Sequence, residues 1–212
     1  TLPDSLGQLT QLQSLDLSYN KITTLPDSLG QLTQLQTLNI RNNQLTILPE
    51  WIGRLTQLLK LRISDHQFTV LPQWLGNLTQ LQLLNISGNL LTDLPKSLAK
   101  LINLKELYLG ERSGGNPLIS IPDCVRQMKK LEVIGAHKCE LKILPDWLNE
   151  LTELKTLWLH NNHLTELPNF LDSLAHLSQL ELDKNQFVDL PSSLAQLEHL
   201  ETLNLKDNPL NP

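Results

Sequence analysis

Cysteine is nearly absent from this chain: only Cys124 and Cys139 occur among 212 residues. Neither belongs to a cluster capping an end, so the fold is expected to form without a disulfide framework. Aromatic residues are also sparse, at 4%, which makes the position of each one informative. No apolar run approaches the ~20 residues of a membrane span and no signal-peptide pattern opens the chain, so membrane insertion is not expected. Charge of one sign is not concentrated either. The formal net charge is −5 and the 17 basic residues are scattered, without the basic stripe that a phosphate backbone attracts, so nucleic acid is not an expected partner.

What the chain has instead is a Leu-Pro pair at a fixed stride. The pairs begin at Leu2, Leu25, Leu48, Leu71 and Leu94, and after an Ile121-Pro122 variant at Leu144, Leu167 and Leu190; the step is 23 residues everywhere except for one of 27. A skeleton returns between them, as in Leu12-x-x-Leu15-x-Leu17-x-x-Asn20-x-Ile22 and Leu154-x-x-Leu157-x-Leu159-x-x-Asn162-x-Leu164. Each unit offers seven apolar positions, Leu2, Leu6, Leu9, Leu12, Leu15, Leu17 and Ile22 in the first. These are too few to bury alone and enough to build a continuous core once neighbours stack. The expectation is a single domain over 1–212, with about nine repeats and a four-residue insertion within 110–116. Thr1 falls in mid-repeat and Pro212 falls where another Leu-Pro would begin, so natural ends are expected beyond both. The uncapped end repeats are expected to fray or to self-associate weakly.

Alternation at Leu15 and Leu17 predicts a short strand with two leucines buried and the residues between them facing outward. Asn20, Asn43, Asn89, Asn162, Asn185 and Asn208 recur after the strands, where an amide satisfies backbone groups as the chain turns away. His66 and Cys139 replace this asparagine, which predicts altered turns in repeats three and six. In the return path, Pro3-Asp4-Ser5-Leu6-Gly7-Gln8-Leu9, proline presets φ and glycine limits regular helix, which predicts short helical turns.

With these features the chain resembles the short leucine-rich repeats of pattern LPxxLGxLTxLxxLxLxxNxLTx. Such repeats are found in bacterial repeat proteins and in the Ras-suppressor and plant intracellular Ras-group proteins. Residues 25–47 and 71–93 are the best copies. The resemblance implies an α/β solenoid, a horseshoe with a parallel concave sheet and short helical or 3-10 turns on the convex side, which binds other proteins on the sheet. It names no partner. Gly110-Glu111-Arg112-Ser113-Gly114-Gly115 departs from the pattern, filling a two-residue gap before Asn116. Its two glycines predict a mobile loop overhanging the sheet. The compartment stays open between an exported bacterial protein and the cytoplasm, toward which the lack of cysteine caps leans.

Positions 23 apart sit on adjacent strands about 4.8 Å from one another, so the open face can be read in columns. One column contains Tyr108, Gly135, Trp158 and Glu181, placing a glycine slot between two rings. Exposed aromatics of this kind are favoured interface anchors, although rings also cover neighbouring strand backbone. The next column contains Gly110, His137, His160 and Asp183, and the column before the first strand leucine adds Leu83 and Val133, apolar and expected to face water. The candidate partner-binding residues are therefore Tyr108, Trp158, Gly135, His137, His160, Asp183, Glu181 and Val133, together with Glu111 and Arg112 of the insertion. Arg41, Lys60 and Arg62 form a basic corner nearer one end.

Two imidazoles and a carboxylate suit zinc, but His137, His160 and Asp183 stand nearly in line along their column, so no metal is expected. No cofactor is expected either. Cys139 is predicted to point inward, and no triad, phosphate loop or paired-carboxylate constellation appears, so no enzyme activity is expected. On the other side, Trp51, Trp74, Trp147 and Phe170 recur at one place, either packing against a neighbouring repeat or forming a second contact surface. The reading is a non-enzymatic protein-recognition module with a protein partner of unknown identity. The alternatives are the substrate-recruiting part of a larger enzyme or bacterial effector, and a glycan-binding module using the rings as stacking platforms.

Overall fold

The computed structural model describes residues 2–211, so Thr1 and Pro212 lie outside the described residues. Nine strands form one parallel sheet in chain order: β1 (Ser14–Asp16), β2 (Thr37–Asn39), β3 (Lys60–Arg62), β4 (Leu83–Asn85), β5 (Glu106–Gly110), β6 (Val133–Ala136), β7 (Thr156–Trp158), β8 (Gln179–Glu181) and β9 (Thr202–Asn204). The stride of 23 becomes the register itself, Leu15 opposite Leu38 and Leu38 opposite Leu61. The fold is a leucine-rich-repeat solenoid.

A 3-10 turn follows the proline of each Leu-Pro or Ile-Pro pair on the convex side, as at Asp27–Gln31. Pro26 stands just outside it with φ −68° and ψ 143°, extended rather than helical, so the proline marks the entry and does not begin the turn. Leu29, Leu32 and Leu35 each donate their N–H to the carbonyl three residues back. A 3-10 turn has three residues per turn, so leucines spaced by three share one face. That face is the core: Leu25, Leu29, Leu32, Leu35, Leu38, Ile40 and Leu45 are all buried. Burying each such side chain contributes about 1.5–3 kcal/mol. No helix among the described residues is long and apolar enough to cross a membrane.

The asparagines form a hydrogen-bonded ladder between repeats. Asn43 donates from Nδ2 to the Leu17 and Ile40 carbonyls, both at 2.9 Å, while its Oδ1 accepts from the Ile22 N–H at 3.0 Å. The backbone just before each rung but Asn116 is left-handed, φ 52° at Asn42. Repeat three was expected to differ and does not: Asp65 has φ 59°, and His66 Nε2 donates to the Ile40 carbonyl at 2.9 Å in the amide's place. Repeat six does differ, since Glu140 adds a second left-handed residue after Lys138. Asn116 restores the ladder beyond the insertion, bonding to the Ile86 and Leu109 carbonyls. The four extra residues are therefore absorbed between strand and rung.

Candidate functional site

Register places Tyr108, Gly135 and Trp158 side by side on β5, β6 and β7. Two strand spacings would hold the rings ~10 Å apart, yet their centroids lie 6.3 Å apart at an interplanar angle of 37°. The expected slot at Gly135 is filled, because the rings lean together across it. A Cβ there would meet Tyr108 Cδ1 at 2.8 Å. The Tyr108 hydroxyl donates to Glu106 Oε2 at 2.7 Å, and burial, reinforced by that carboxylate, pushes the phenol's pKa up. Both rings are half-buried. Leu83, expected to face water, is 4% exposed between the longer side chains of Lys60 and Glu106 at its register positions. Val133 is half-buried one row away from the rings.

The histidines also differ from a flat column. His137 is 5% exposed and packs edge-on against Trp158, with centroids 5.4 Å apart. Its Nδ1 meets His160 Nε2 in a hydrogen bond, and the two rings stand at 88° with centroids 3.7 Å apart. Desolvation first, and the neighbouring His160 second, push the His137 pKa down to about 3. His137 is therefore neutral. The other nitrogen of His160, Nδ1, lies 3.1 Å from Glu181 Oε2 and 4.0 Å from Asp183 Oδ1. His160 stands between His137 and Asp183, contacting one through each ring nitrogen. Glu181 is long enough to reach back across to β7, so the converging donors are His160, Glu181 and Asp183.

The insertion folds onto this face. Glu111 and Gly114 exchange backbone hydrogen bonds of 2.9 and 3.0 Å, closing a tight turn. Gly115 allows a close approach, since a Cβ there would meet the Lys138 carbonyl oxygen at 2.1 Å. Lys138 Nζ donates to the Arg112 carbonyl at 2.9 Å. From the opposite side, Arg41 reaches Ser113 and Glu111 while pairing with Asp65. Arg41, read as part of a free basic corner, is committed to this network.

Between the turn and the histidines lies a cleft of about 320 Å³. Arg41, Glu111, Arg112 and Ser113 line one wall; His137, Trp158, His160 and Glu181 line the other. Six of the ten candidate residues thus meet at the cleft. Tyr108 supports Trp158 from the side, Gly135 lies beneath the rings, Asp183 stands behind His160, and Val133 is not brought in. Column reading missed Ser113, and its only hint of Arg41 was that residue's place in the basic corner. The cysteines offer no nucleophile: burial pushes both the Cys124 and the Cys139 thiol up to about 12.

On the convex side each tryptophan packs on the preceding repeat. A Cβ at Gly53 would meet the Trp74 ring at 2.9 Å, and one at Gly30 would meet Trp51 Cβ at 2.9 Å. Trp147 Nε1 donates to Asp123 Oδ1 at 2.9 Å. These contacts favour packing over a second interface.

The family profile described as a leucine-rich repeat region matches residues 2–107, and that of the leucine-rich repeat matches residues 153–174. No curated protein matches the chain by sequence. Among solved structures, a leucine-rich-repeat protein of Leptospira interrogans is 34% identical, with TM-score 0.87 over 100% of this chain and 59% of its own. The ectodomain of the Arabidopsis receptor kinase HAESA, solved with an N-terminally extended IDA peptide hormone, is 30% identical. Its TM-score is 0.75 over 99% of this chain and 36% of its own. An internalin of Listeria monocytogenes, 24% identical with TM-score 0.74, covers 96% of this chain and 63% of its own, and it shows the fold alone. The chain spans less than two thirds of each of these three.

Proposed function

From the premise that the chain belongs to the leucine-rich-repeat family, we propose that its repeats act as one non-enzymatic recognition domain that takes a protein segment into the concave cleft. Proteins of this family are in general protein-interaction modules, and solenoids of this kind present extended concave surfaces for binding. The observation that carries the finer reading is the meeting of the insertion with Trp158. A loop held by Arg41 and Lys138 faces a half-buried indole across about 320 Å³. A rigid indole beside a pre-organised loop supplies an anchor at little ordering cost. Arg112 on one wall and Glu181 on the other give the cleft both signs of charge, which suits an extended peptide more than a uniformly charged ligand. The HAESA ectodomain, of the same fold, was solved with a peptide, which supports a peptide as the unit recognised.

Selection from a random peptide library on the immobilised chain tests this. Selected peptides are expected to lose about 2 kcal/mol of affinity on Trp158→Ala, as interface anchors do, and little on the convex change Trp74→Ala. Peptides indifferent to Trp158→Ala would place recognition elsewhere. Binding confined to a glycan array would replace the reading with carbohydrate recognition.

A further inference from the structure

We propose that His160, Glu181 and Asp183 form a binding site for one divalent transition-metal ion of the zinc class, with His137 as the positioning residue behind His160. This does not rest on the peptide reading. The three donors come from two neighbouring repeats, and one ligand atom from each lies within 4.8 Å of the others. Zinc bound to imidazole and carboxylate at ~2.1 Å in tetrahedral geometry sets its donors ~3.4 Å apart. The distances from His160 Nδ1, 3.1 Å to Glu181 and 4.0 Å to Asp183, bracket that value. Side-chain rotation that brings the carboxylates in by about an ångström, from separations of up to 4.8 Å, closes the set.

The charges point the same way. Two other acids on the solenoid each lie between basic side chains, Glu132 between Lys105 and Lys155 and Glu150 between Arg126 and Lys129. Among the described residues, Glu181 and Asp183 have ion-pair contacts only with His160. Two carboxylates side by side at a partly buried site favour a cation between them. Asp183 is further oriented by the Asn204 amide, which donates to its Oδ1 at 2.9 Å.

His137 holds His160 from behind. It is 5% exposed, lines the same cleft, and its Nε2 has no hydrogen-bond partner. Its polar contact is instead aimed at His160 Nε2. Equivalent places in other repeats hold Ser64, Ser87 and Gly110, so the solenoid does not call for imidazole there. A metal on His160 Nδ1 requires the ring's proton on Nε2, where it is donated to a neutral acceptor. That outer hydrogen bond is how ligating histidines are held in one tautomer and orientation. One imidazole with two carboxylates selects zinc-like ions over calcium and magnesium, which take oxygen ligands.

The test is titration of the chelator-treated full chain with zinc by calorimetry, and with cobalt by visible absorption to read coordination number. One ion per chain is expected. Asp183→Asn, which keeps the shape and the Asn204 contact, and His160→Ala should each weaken uptake by at least about tenfold. His137→Gln should weaken it by about tenfold and shift the cobalt bands, which a merely structural role would not do. His163→Ala, at an exposed histidine nearby, should change neither. Absence of stoichiometric uptake overturns the proposal, as does uptake that survives Asp183→Asn and His160→Ala or falls equally with His163→Ala. Each of these leaves the peptide reading untouched, since that is read by peptide affinity.

Discussion

Arg41 donates from Nη2 to the Ser113 hydroxyl across 3.3 Å, joining residues 72 positions apart. The same guanidinium pairs through Nε with Asp65 at 2.7 Å and stands 3.6 Å from Glu111. One side chain of the second repeat thereby fixes a loop of the fifth, and with it one wall of the cleft. The pairs are partly shielded, Arg41 being 26% exposed, so the network contributes about 1 kcal/mol rather than several.

Arg41→Ala should therefore loosen the insertion without unfolding the solenoid. Amide hydrogen exchange over 111–115 is expected to accelerate, and trypsin to cut after Arg112 sooner, while global stability falls by no more than about 1 kcal/mol. Unchanged exchange in the insertion would show that Lys138 and the tight turn suffice alone.

Gly135→Ala should disturb the ring pair. A methyl group meets Tyr108 Cδ1 at 2.8 Å and the Gly110 carbonyl at 3.3 Å, so the phenol must lift away from Trp158. The expected cost is about 1–2 kcal/mol, from crowding and the lost aromatic contact, with a changed near-ultraviolet circular dichroism spectrum. An unchanged spectrum would mean that the rings do not share the space above Gly135.

The repeat and its register were legible in the sequence because each apolar position returns at a fixed interval, and Leu15, Leu38 and Leu61 pair as that interval demands. The cleft was legible only in part. A column assigns Cα addresses, whereas the site depends on side-chain direction: Tyr108 lies over Gly135, Glu181 reaches back to His160, and His137 is buried against Trp158. The path of the insertion was not legible either, because Arg41 and Ser113 meet through a contact with no periodic signature.

His66→Asn tests the ladder by pH. Burial holds the His66 pKa below its ordinary 6.5, opposed by hydrogen bonds to backbone at Ile40 and Asn43 and by the nearby Asp65 carboxylate. As pH falls through 6.5 the unfolded chain takes up a proton that the folded chain refuses, so stability present above that pH is lost toward the lowered folded value. Asparagine does not titrate. The stability difference between variant and parent, from denaturant melts, should shift in the variant's favour from about pH 8 to about pH 5. A difference independent of pH would mean that His66 titrates alike in both states.

The central claim is that recognition occurs in the cleft between the insertion and Trp158, and the most direct measurement is a hydrogen-exchange footprint of a selected peptide on the full chain. Protection is expected over 108–115 and 158–161, with the convex turns around Trp51 and Trp74 unchanged. Protection confined to the convex turns, with the insertion exchanging as in the free chain, would contradict the account.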